Sequence, residues 1–168
     1  MSCSLRPVGH AHRARLEQLT RDTGLFREEE VGTAVELLDA SLGERGTDDY
    51  RFVGAFDTDD LVGYACWGPT PGTVGTWDLY WIVVDRVRQG AGIGSQLLGE
   101  VEGRLTADGC RLVVVETSSR TDYLPTRGFY EARGYTRAAT IPGYYAPGDD
   151  LVIYTKDLTD GDLARAAP

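Results

Sequence analysis

The chain is poor in the residues that build metal sites and disulfide frameworks, and its acidic side chains outnumber its basic ones. Its 168 residues include only three cysteines, two histidines and one lysine. Cys3, Cys66 and Cys110 are odd in number and far apart, and no histidine accompanies them, which argues against disulfide bonds and against a zinc site. We therefore predict no metal cofactor. The formal net charge of −9 also disfavours binding to nucleic acid, which requires clustered Lys and Arg.

Long hydrophobic runs are missing as well. The longest uncharged apolar stretches are "LYWIVV" and "LVVV", far short of the roughly 20 residues that a membrane-spanning helix needs. The N-terminus "MSCSLRPVGH" lacks the apolar core of a signal peptide. We therefore expect a cytoplasmic protein that does not associate with membranes. With 42% hydrophobic residues, no tandem repeat and no low-complexity tract, the chain fits one globular domain.

Helix and strand patterns alternate along the chain and predict an α/β domain over residues 1–158, with residues 159–168 as a frayed tail. Helical spacing of apolar residues is clearest after the glycines near position 92, at Ile93, Leu97, Leu98, Val101 and Leu105. This helix is expected to close near "ADGC", where Gly109 can take the left-handed conformation. Further helices are predicted for "HAHRARLEQLT", "REEEVGTAVELLDASL" and "LPTRGFYEARGY". Strands are predicted for "LRPV", "YRFVGAFD", "LVGYACWGP", "TWDLYWIVVD", "RLVVVET", "TRAATI" and "DLVIYTKDL". The segment "PGYYAPGDD", residues 142–150, is expected to be the loop that joins the last two strands.

Three glycines, Gly90, Gly92 and Gly94, stand between an apolar strand and the clearest helix. Such a strand–turn–helix arrangement presents amide N–H groups and the positive end of a helix to an anion. Glycine suits this position because a Cβ would block close approach and forbid some dihedral angles. The spacing does not match the G-x-G-x-x-G dinucleotide fingerprint, and no lysine follows Gly94 as in a Walker loop. An anion-binding loop of another type and a plain tight turn remain as interpretations.

Three segments together resemble motifs of the GNAT acetyltransferases. "QGAGIG", residues 89–94, matches the pattern Q/R-x-x-G-x-G/A of that family, "FYEARGY" resembles its F-Y-E-x-x-G-F/Y segment, and "LVVVET" resembles the strand between them. The segments occur in the family's order and spacing, over about half of the chain. The resemblance implies a GNAT-type mixed, mostly antiparallel central sheet of six to seven strands flanked by about four helices. It also implies acetyl-coenzyme A as the cosubstrate.

The same resemblance implies that main chain binds the coenzyme. In the family, the diphosphate lies on the amides of the glycine loop, and the pantetheine arm pairs with the end of the preceding strand. The residues so implicated are Ile82, Val83 and Val84 for the pantetheine arm, and Gln89, Gly90, Ala91, Gly92, Ile93, Gly94 and Ser95 for the diphosphate.

Acetylation of an amine requires a base, because an alkyl ammonium has a pKa of roughly 10. His10 and His12 lie far from the motifs and are interpreted as surface residues. Glu116 is favoured, because it is expected to follow four buried apolar residues at the end of a strand, where partial desolvation would raise the pKa of its carboxyl group. Peptide-acetylating members of the family carry a glutamate there. Asp78 and a water chain are the alternatives. Tyr130 matches the family tyrosine that donates a proton to the coenzyme A thiolate.

The amine acceptor is less well defined by the sequence. Phe26, Asp78, Tyr144 and Tyr145 are candidates to line its site, although the aromatic residues would serve equally as core or loop anchors. We predict an acyltransferase that moves the acetyl group directly to a primary amine of a small molecule, a peptide N-terminus or a lysine. The alternative is a non-catalytic module that binds or senses acyl-coenzyme A. A longer acyl group and a homodimer are both compatible with the sequence.

Overall fold

A computed structural model describes residues 3–43 and 48–159 of the chain. These residues fall into two compact units, the first within 1–69 and 80–104 and the second within 70–79 and 105–168. Residues 160–168, which make up nearly all of the predicted frayed tail, lie outside the described residues. The assignment of residues 1–158 to a single domain stays a prediction.

The described residues contain seven β-strands and four α-helices. The strands are β1 (Ser4–Arg6), β2 (Arg51–Asp57), β3 (Asp60–Pro69), β4 (Thr76–Val84), β5 (Leu112–Ser118), β6 (Thr136–Ala146) and β7 (Asp149–Asp157). The helices are α1 (Arg13–Asp22), α2 (Glu28–Leu42), α3 (Ile93–Ala107) and α4 (Leu124–Glu131). One sheet contains all seven strands in the order β1-β2-β3-β4-β5-β7-β6. The predicted fold class, a mixed and mostly antiparallel sheet of six to seven strands with about four helices, is confirmed.

In the first unit, α1 and α2 supply apolar faces to a core that also contains residues of β2 and β3. α2 begins at Glu28 with three glutamates in its first turn, where the positive end of the helix dipole stabilises their charge. The amide of Arg27 donates to the Glu30 carboxylate at 2.8 Å and closes the start of this helix. The buried residues of α2, Val31, Ala34, Val35 and Leu38, recur at helical spacing, whereas Leu42 on the same stripe is only half-buried.

Helix α3 has the stripe expected from the sequence. Its five apolar residues at helical spacing are all buried, from Ile93 at 3% exposed to Leu105 at 0%. The helix ends at Ala107, and Gly109 adopts the predicted left-handed conformation beyond it, with a φ of +74°. The amide of Cys110 then donates to the carbonyl of Leu105 at 2.9 Å, a bond that satisfies one of the last helical carbonyls.

The second unit is built around β5. This strand pairs in parallel with β4 over three residues, and in antiparallel register with β7 over its whole length. Tyr154 of β7 donates its hydroxyl proton to Glu131 of α4 at 2.6 Å. This bond places α4 on the face of the sheet to which Tyr154 points. Because side chains alternate between faces along a strand, the neighbouring Ile153 and its register partner Glu116 point to the opposite face.

The structure corrects the boundary of the connection between the last two strands. The sequence predicts a loop at residues 142–150, but β6 continues to Ala146, so Tyr144 and Tyr145 belong to a strand. The register with β7 slips between Ile141 and Ala146, which marks an irregular bulge. Gly143 has a φ of +62° and donates its amide to the Asp150 carboxylate at 2.8 Å. This glycine and its carboxylate partner let the strand continue past Pro142, which is tolerated because β6 is an edge strand of the sheet.

The described residues contain neither a membrane-spanning helix nor a metal-binding cluster. None of the helices in residues 3–43 and 48–159 is long and apolar enough to cross a membrane. Over the same two ranges, no group of three or more His, Cys, Asp and Glu side chains is arranged to hold a metal ion.

Candidate active site

The glycine loop of the first unit follows a short 3-10 turn, Arg86–Arg88, and leads into α3. Residues 89–92 are exposed to solvent, whereas Ile93 is buried and fixes the start of the helix in the core. The loop is therefore an exposed stretch of backbone anchored at both ends.

Gly90 and Gly92 are required by the conformation of this loop. Both have a φ of +82°, in the left-handed region that residues with a Cβ seldom adopt. A Cβ built on either residue would meet no heavy atom within 4 Å, so the space above the backbone is open. Such an open face allows a ligand to approach the main chain directly. The loop thus fits the diphosphate of coenzyme A, which main-chain amides would hold.

The start of α3 favours the binding of an anion electrostatically. The amide of Gln96 donates to the carbonyl of Gly92 at 3.0 Å, which is the first hydrogen bond of the helix. The amides of Ile93 and Gly94 precede that bond and lie at the positive end of the helix dipole. Ser95 follows in the same turn and is exposed. An anion placed here would be stabilised by the dipole and by these amides.

The end of β4 carries the segment predicted to bind the pantetheine arm. Val83 is buried, and Ile82 and Val84 are half-buried. The register of β4 with β5 takes in Thr76, Trp77 and Asp78 and stops there. The side-chain amide of Gln89 donates to the carbonyl of Val84 at 3.5 Å and so links the loop to the strand end.

Replacing Gly90 or Gly92 by alanine should weaken coenzyme binding. A Cβ in the left-handed region costs about 1–2 kcal/mol, so we expect the Kd for coenzyme A, measured by isothermal titration, to rise about tenfold. Gly99→Ala is the matched control, because Gly99 lies on the exposed side of α3 without a positive φ and with no atom within 4 Å of its built Cβ. An unchanged Kd in both loop variants would show that the left-handed conformation is not needed for binding.

The second unit brings Asp78 and Glu116 together on one face of the sheet. Asp78 of β4 is the register partner of Val114, and Glu116 lies two residues further along β5, so the two carboxylates point to the same side. Asp78 is half-buried and accepts a hydrogen bond from the Thr70 hydroxyl at 2.7 Å. Sequence reasoning missed Thr70; its position in the turn "TPGTVGT", eight residues before Asp78, gives only a weak signal.

Glu116 differs in its surroundings from the prediction, although its pKa shifts in the expected direction. Of the four apolar residues before it, only Val113 and Val115 are buried, since alternate residues of β5 face opposite sides. Glu116 itself is exposed, and β5 continues beyond it to Ser118. Partial desolvation by the surrounding atoms raises the pKa of Glu116, and the nearby negative charge of Asp78 raises it further.

Tyr130 is a buried residue of α4, with 5% of its surface exposed. Its ring contacts the rings of Phe129 and Tyr135 edge to face, with centroids 5.2 Å and 5.3 Å away. Burial raises the pKa of the Tyr130 phenol, which keeps the hydroxyl protonated at neutral pH. No partner for that hydroxyl is found within the described residues, so its proton is not committed to a bond there.

The remaining acceptor-site candidates differ in exposure. Tyr144 is 56% exposed and packs edge to face on the half-buried Tyr145 at a centroid distance of 5.0 Å. Both stand on the bulge of β6, so their rings are fixed by a strand rather than by a turn. Phe26, in the first unit, is partly buried and packs against the core of that unit.

Comparison with known proteins assigns the chain to a family. A sequence model described as "Acetyltransferase (GNAT) family" matches residues 14–135. The chain therefore belongs to the GNAT acetyltransferase family, and the prediction from its three motifs is confirmed. Acetyl-coenzyme A is the cosubstrate of that family, as expected.

One relative and two solved structures show how far the similarity extends. The blasticidin-S acetyltransferase of Streptomyces morookaense is 36% identical over 102 residues, a match that covers 58% of this chain and 64% of that protein. The match thus spans less than two thirds of that relative. A GNAT-family protein of known structure from Desulfovibrio desulfuricans is 39% identical with a TM-score of 0.86, over 94% of this chain and 99% of the other. An aminoglycoside 6′-N-acetyltransferase in complex with coenzyme A shares the fold, with a TM-score of 0.74 and 18% identity over 92% of this chain and 97% of the other.

Proposed function

We propose that the protein transfers the acetyl group of acetyl-coenzyme A directly to a primary amine. The observation that carries this proposal is the open glycine loop at the start of α3, where Gly90 and Gly92 adopt φ angles of +82° with no atom above them. This loop follows β4 as a coenzyme-binding loop of the GNAT family would. Acetyl-coenzyme A supplies the activated thioester, and Glu116 and Tyr130 carry out the proton transfers.

Glu116 acts as the base in this proposal. An alkyl ammonium cannot attack a thioester, so one proton must leave the acceptor nitrogen before a bond to the acetyl carbon forms. A carboxylate with a raised pKa accepts that proton more readily than an ordinary one. Desolvation and the charge of Asp78 both raise the pKa of Glu116, which supports this role. Asp78 is the second candidate, because it lies on the same face and would hold a cationic amine electrostatically.

Tyr130 acts as the acid. As the bond between the acetyl carbon and sulfur breaks, the departing thiolate takes the proton of the Tyr130 hydroxyl, and the phenolate is later reprotonated from solvent. The hydroxyl must be protonated at the start of each turnover, and the raised pKa that burial gives it meets this requirement.

Direct transfer is favoured over an acetyl-cysteine intermediate. Cys66 and Cys110 are both buried, and burial raises the pKa of both thiols, that of Cys110 to about 11. A buried thiol that stays protonated at neutral pH is a poor nucleophile. Cys3 is half-buried near the N-terminus, outside the motifs.

Small-molecule amines are the acceptor class to test first. The relative from Streptomyces morookaense is a blasticidin-S acetyltransferase, and its identity to this chain is high enough to suggest a related acceptor. Peptide N-termini and protein lysines are the other amine acceptors to be assayed. We expect release of coenzyme A thiol, followed with a thiol reagent, to depend on both acetyl-coenzyme A and one class of amine. Tight binding of coenzyme A without thiol release for any amine would instead identify a binding or sensing module.

Location and partners are also proposals. We propose action in the cytoplasm and independence of nucleic acid, and the net charge of −9 supports the second of these. A homodimer remains compatible with the fold, and sedimentation measurements would test it.

A further inference from the structure

A partly buried ion pair lies directly before the coenzyme loop in the first unit. Arg15 of α1 places its Nη2 atom 2.7 Å from Oδ2 of Asp85, the residue that follows β4. The two side chains are only 27% and 19% exposed. Water therefore screens this pair less than it screens an ordinary surface ion pair. Nε of Arg15 also contacts the carbonyl of Leu61 at 3.1 Å and the carboxylate of Asp60 at 3.3 Å, so the guanidinium is held from two sides.

Asp85 uses its remaining atoms to hold the turn that leads into the loop. Its Oδ1 accepts the amide of Val87 at 3.2 Å, and its carbonyl accepts the amide of Arg88 at 2.8 Å. Its own amide donates to the carbonyl of Val62 in β3 at 2.9 Å. Asp85 thus joins three parts of the unit: the sheet, helix α1 and the 3-10 turn.

The far end of the same turn is fixed by a second charge contact. Arg88 lies 2.6 Å from the carboxylate of Asp57, at the end of β2. The turn is therefore held at both ends, and only then does the backbone enter the two left-handed glycines. An exposed loop with two glycines has many accessible conformations, so its binding geometry depends on how its stem is fixed.

We propose that Arg15 and Asp85 are positioning residues that hold the glycine loop in its coenzyme-binding conformation before the ligand arrives. The proposal rests on the proposed function, because it assigns the loop to coenzyme A. A loop that is ordered in advance loses less conformational entropy on binding, and this gain appears as affinity. Arg15 is distant in sequence from every motif of the family, and its role follows from the contact that the fold creates.

The chain offers a matched control on the same helix. Arg13 of α1 forms a bidentate pair with Asp39 of α2, with N–O distances of 2.9 to 3.1 Å. This pair is more exposed, at 48% and 42%, and it joins α1 to α2, not to the loop stem. Substitutions here remove an ion pair of α1 without touching the turn at residues 86–88.

The test is isothermal titration of coenzyme A into the full chain and its variants. We expect Asp85→Asn and Arg15→Gln each to raise the Kd for coenzyme A about tenfold, the amount expected when one hydrogen bond to a charged group is lost. The double variant should bind no more weakly than the weaker single variant, because both changes break one contact. At saturating acetyl-coenzyme A, kcat and the KM for the amine should stay within twofold of the wild-type values. A general loss of structure would change both. Asp39→Asn should leave the Kd unchanged.

Two results would overturn the proposal. One is binding by both Asp85→Asn and Arg15→Gln within twofold of the wild type. The other is a parallel fall in coenzyme affinity, kcat and melting temperature, which would mean that the pair only supports the fold. Failure of the wild-type protein to bind coenzyme A would instead contradict the proposed function, so the two failures are distinguishable.

Discussion

Tyr130→Phe is expected to lower kcat by about 100-fold, within the range that general acid catalysis contributes. The substitution removes one oxygen and leaves the buried ring, with its edge-to-face contacts to Phe129 and Tyr135, in place. Without the hydroxyl proton, the thiolate must leave unprotonated or take a proton from water, which raises the barrier. The Kd for coenzyme A should change little, because the substitution leaves the main-chain amides of residues 89–95, which hold the diphosphate in this proposal, unchanged. Steady-state kinetics and titration of coenzyme A measure the two quantities separately.

Tyr135→Phe is the matched control for this experiment. Tyr135 is also buried, at 3% exposed, and contacts Tyr130 directly. Loss of the Tyr135 hydroxyl should leave kcat within about threefold of the wild-type value, because no step of the proposed transfer uses the proton of that hydroxyl. Equal kcat values for the wild type and Tyr130→Phe would exclude Tyr130 as the acid and leave water as the donor.

The second large effect is expected at Glu116. Glu116→Gln should lower kcat/KM by about 100-fold near neutral pH, because the amide cannot accept the proton of the amine. In the wild type, kcat/KM should fall as the pH drops through the raised pKa of Glu116, since the protonated carboxyl is no longer a base. Asp122→Asn is a suitable control, because this exposed carboxylate of the same unit is paired with Arg120 at 3.0 Å.

Asp78→Asn distinguishes the two carboxylates. The negative charge of Asp78 is one cause of the raised pKa of Glu116, after desolvation. Removing it should shift the acidic limb of the pH profile of kcat/KM towards lower pH, with the plateau largely retained. A loss of about 100-fold at every pH would identify Asp78 as the base instead. If the pH profile of kcat/KM kept both its midpoint and its plateau, neither the charge nor the carboxylate of Asp78 would take part in the reaction.

Local patterns in the sequence predicted much of the fold. The apolar stripe of α3 and the left-handed glycine that ends this helix both depend on residues within a few turns of one another. The glycines of the coenzyme loop could be located in the same way, because their conformation is a local requirement. Motif resemblance then gave the family, which no periodicity could have supplied.

Contacts between residues that are distant in the chain could not be predicted from the sequence. The pair of Arg15 and Asp85 joins residues 70 positions apart, and nothing in either segment marks it. The bulge that carries Tyr144 and Tyr145 depends on a bond from Gly143 to a carboxylate on the neighbouring strand, so the segment looked like a turn. The apolar run before Glu116 suggested full burial, whereas β5 buries only alternate residues there.

The most direct test of the account is a crystal structure of the protein with coenzyme A bound. The account predicts that the diphosphate lies against the main-chain amides of residues 89–95, at the start of α3, and that the pantetheine arm runs along the backbone of Ile82, Val83 and Val84. Coenzyme A bound at another place, with this loop left empty, would contradict it.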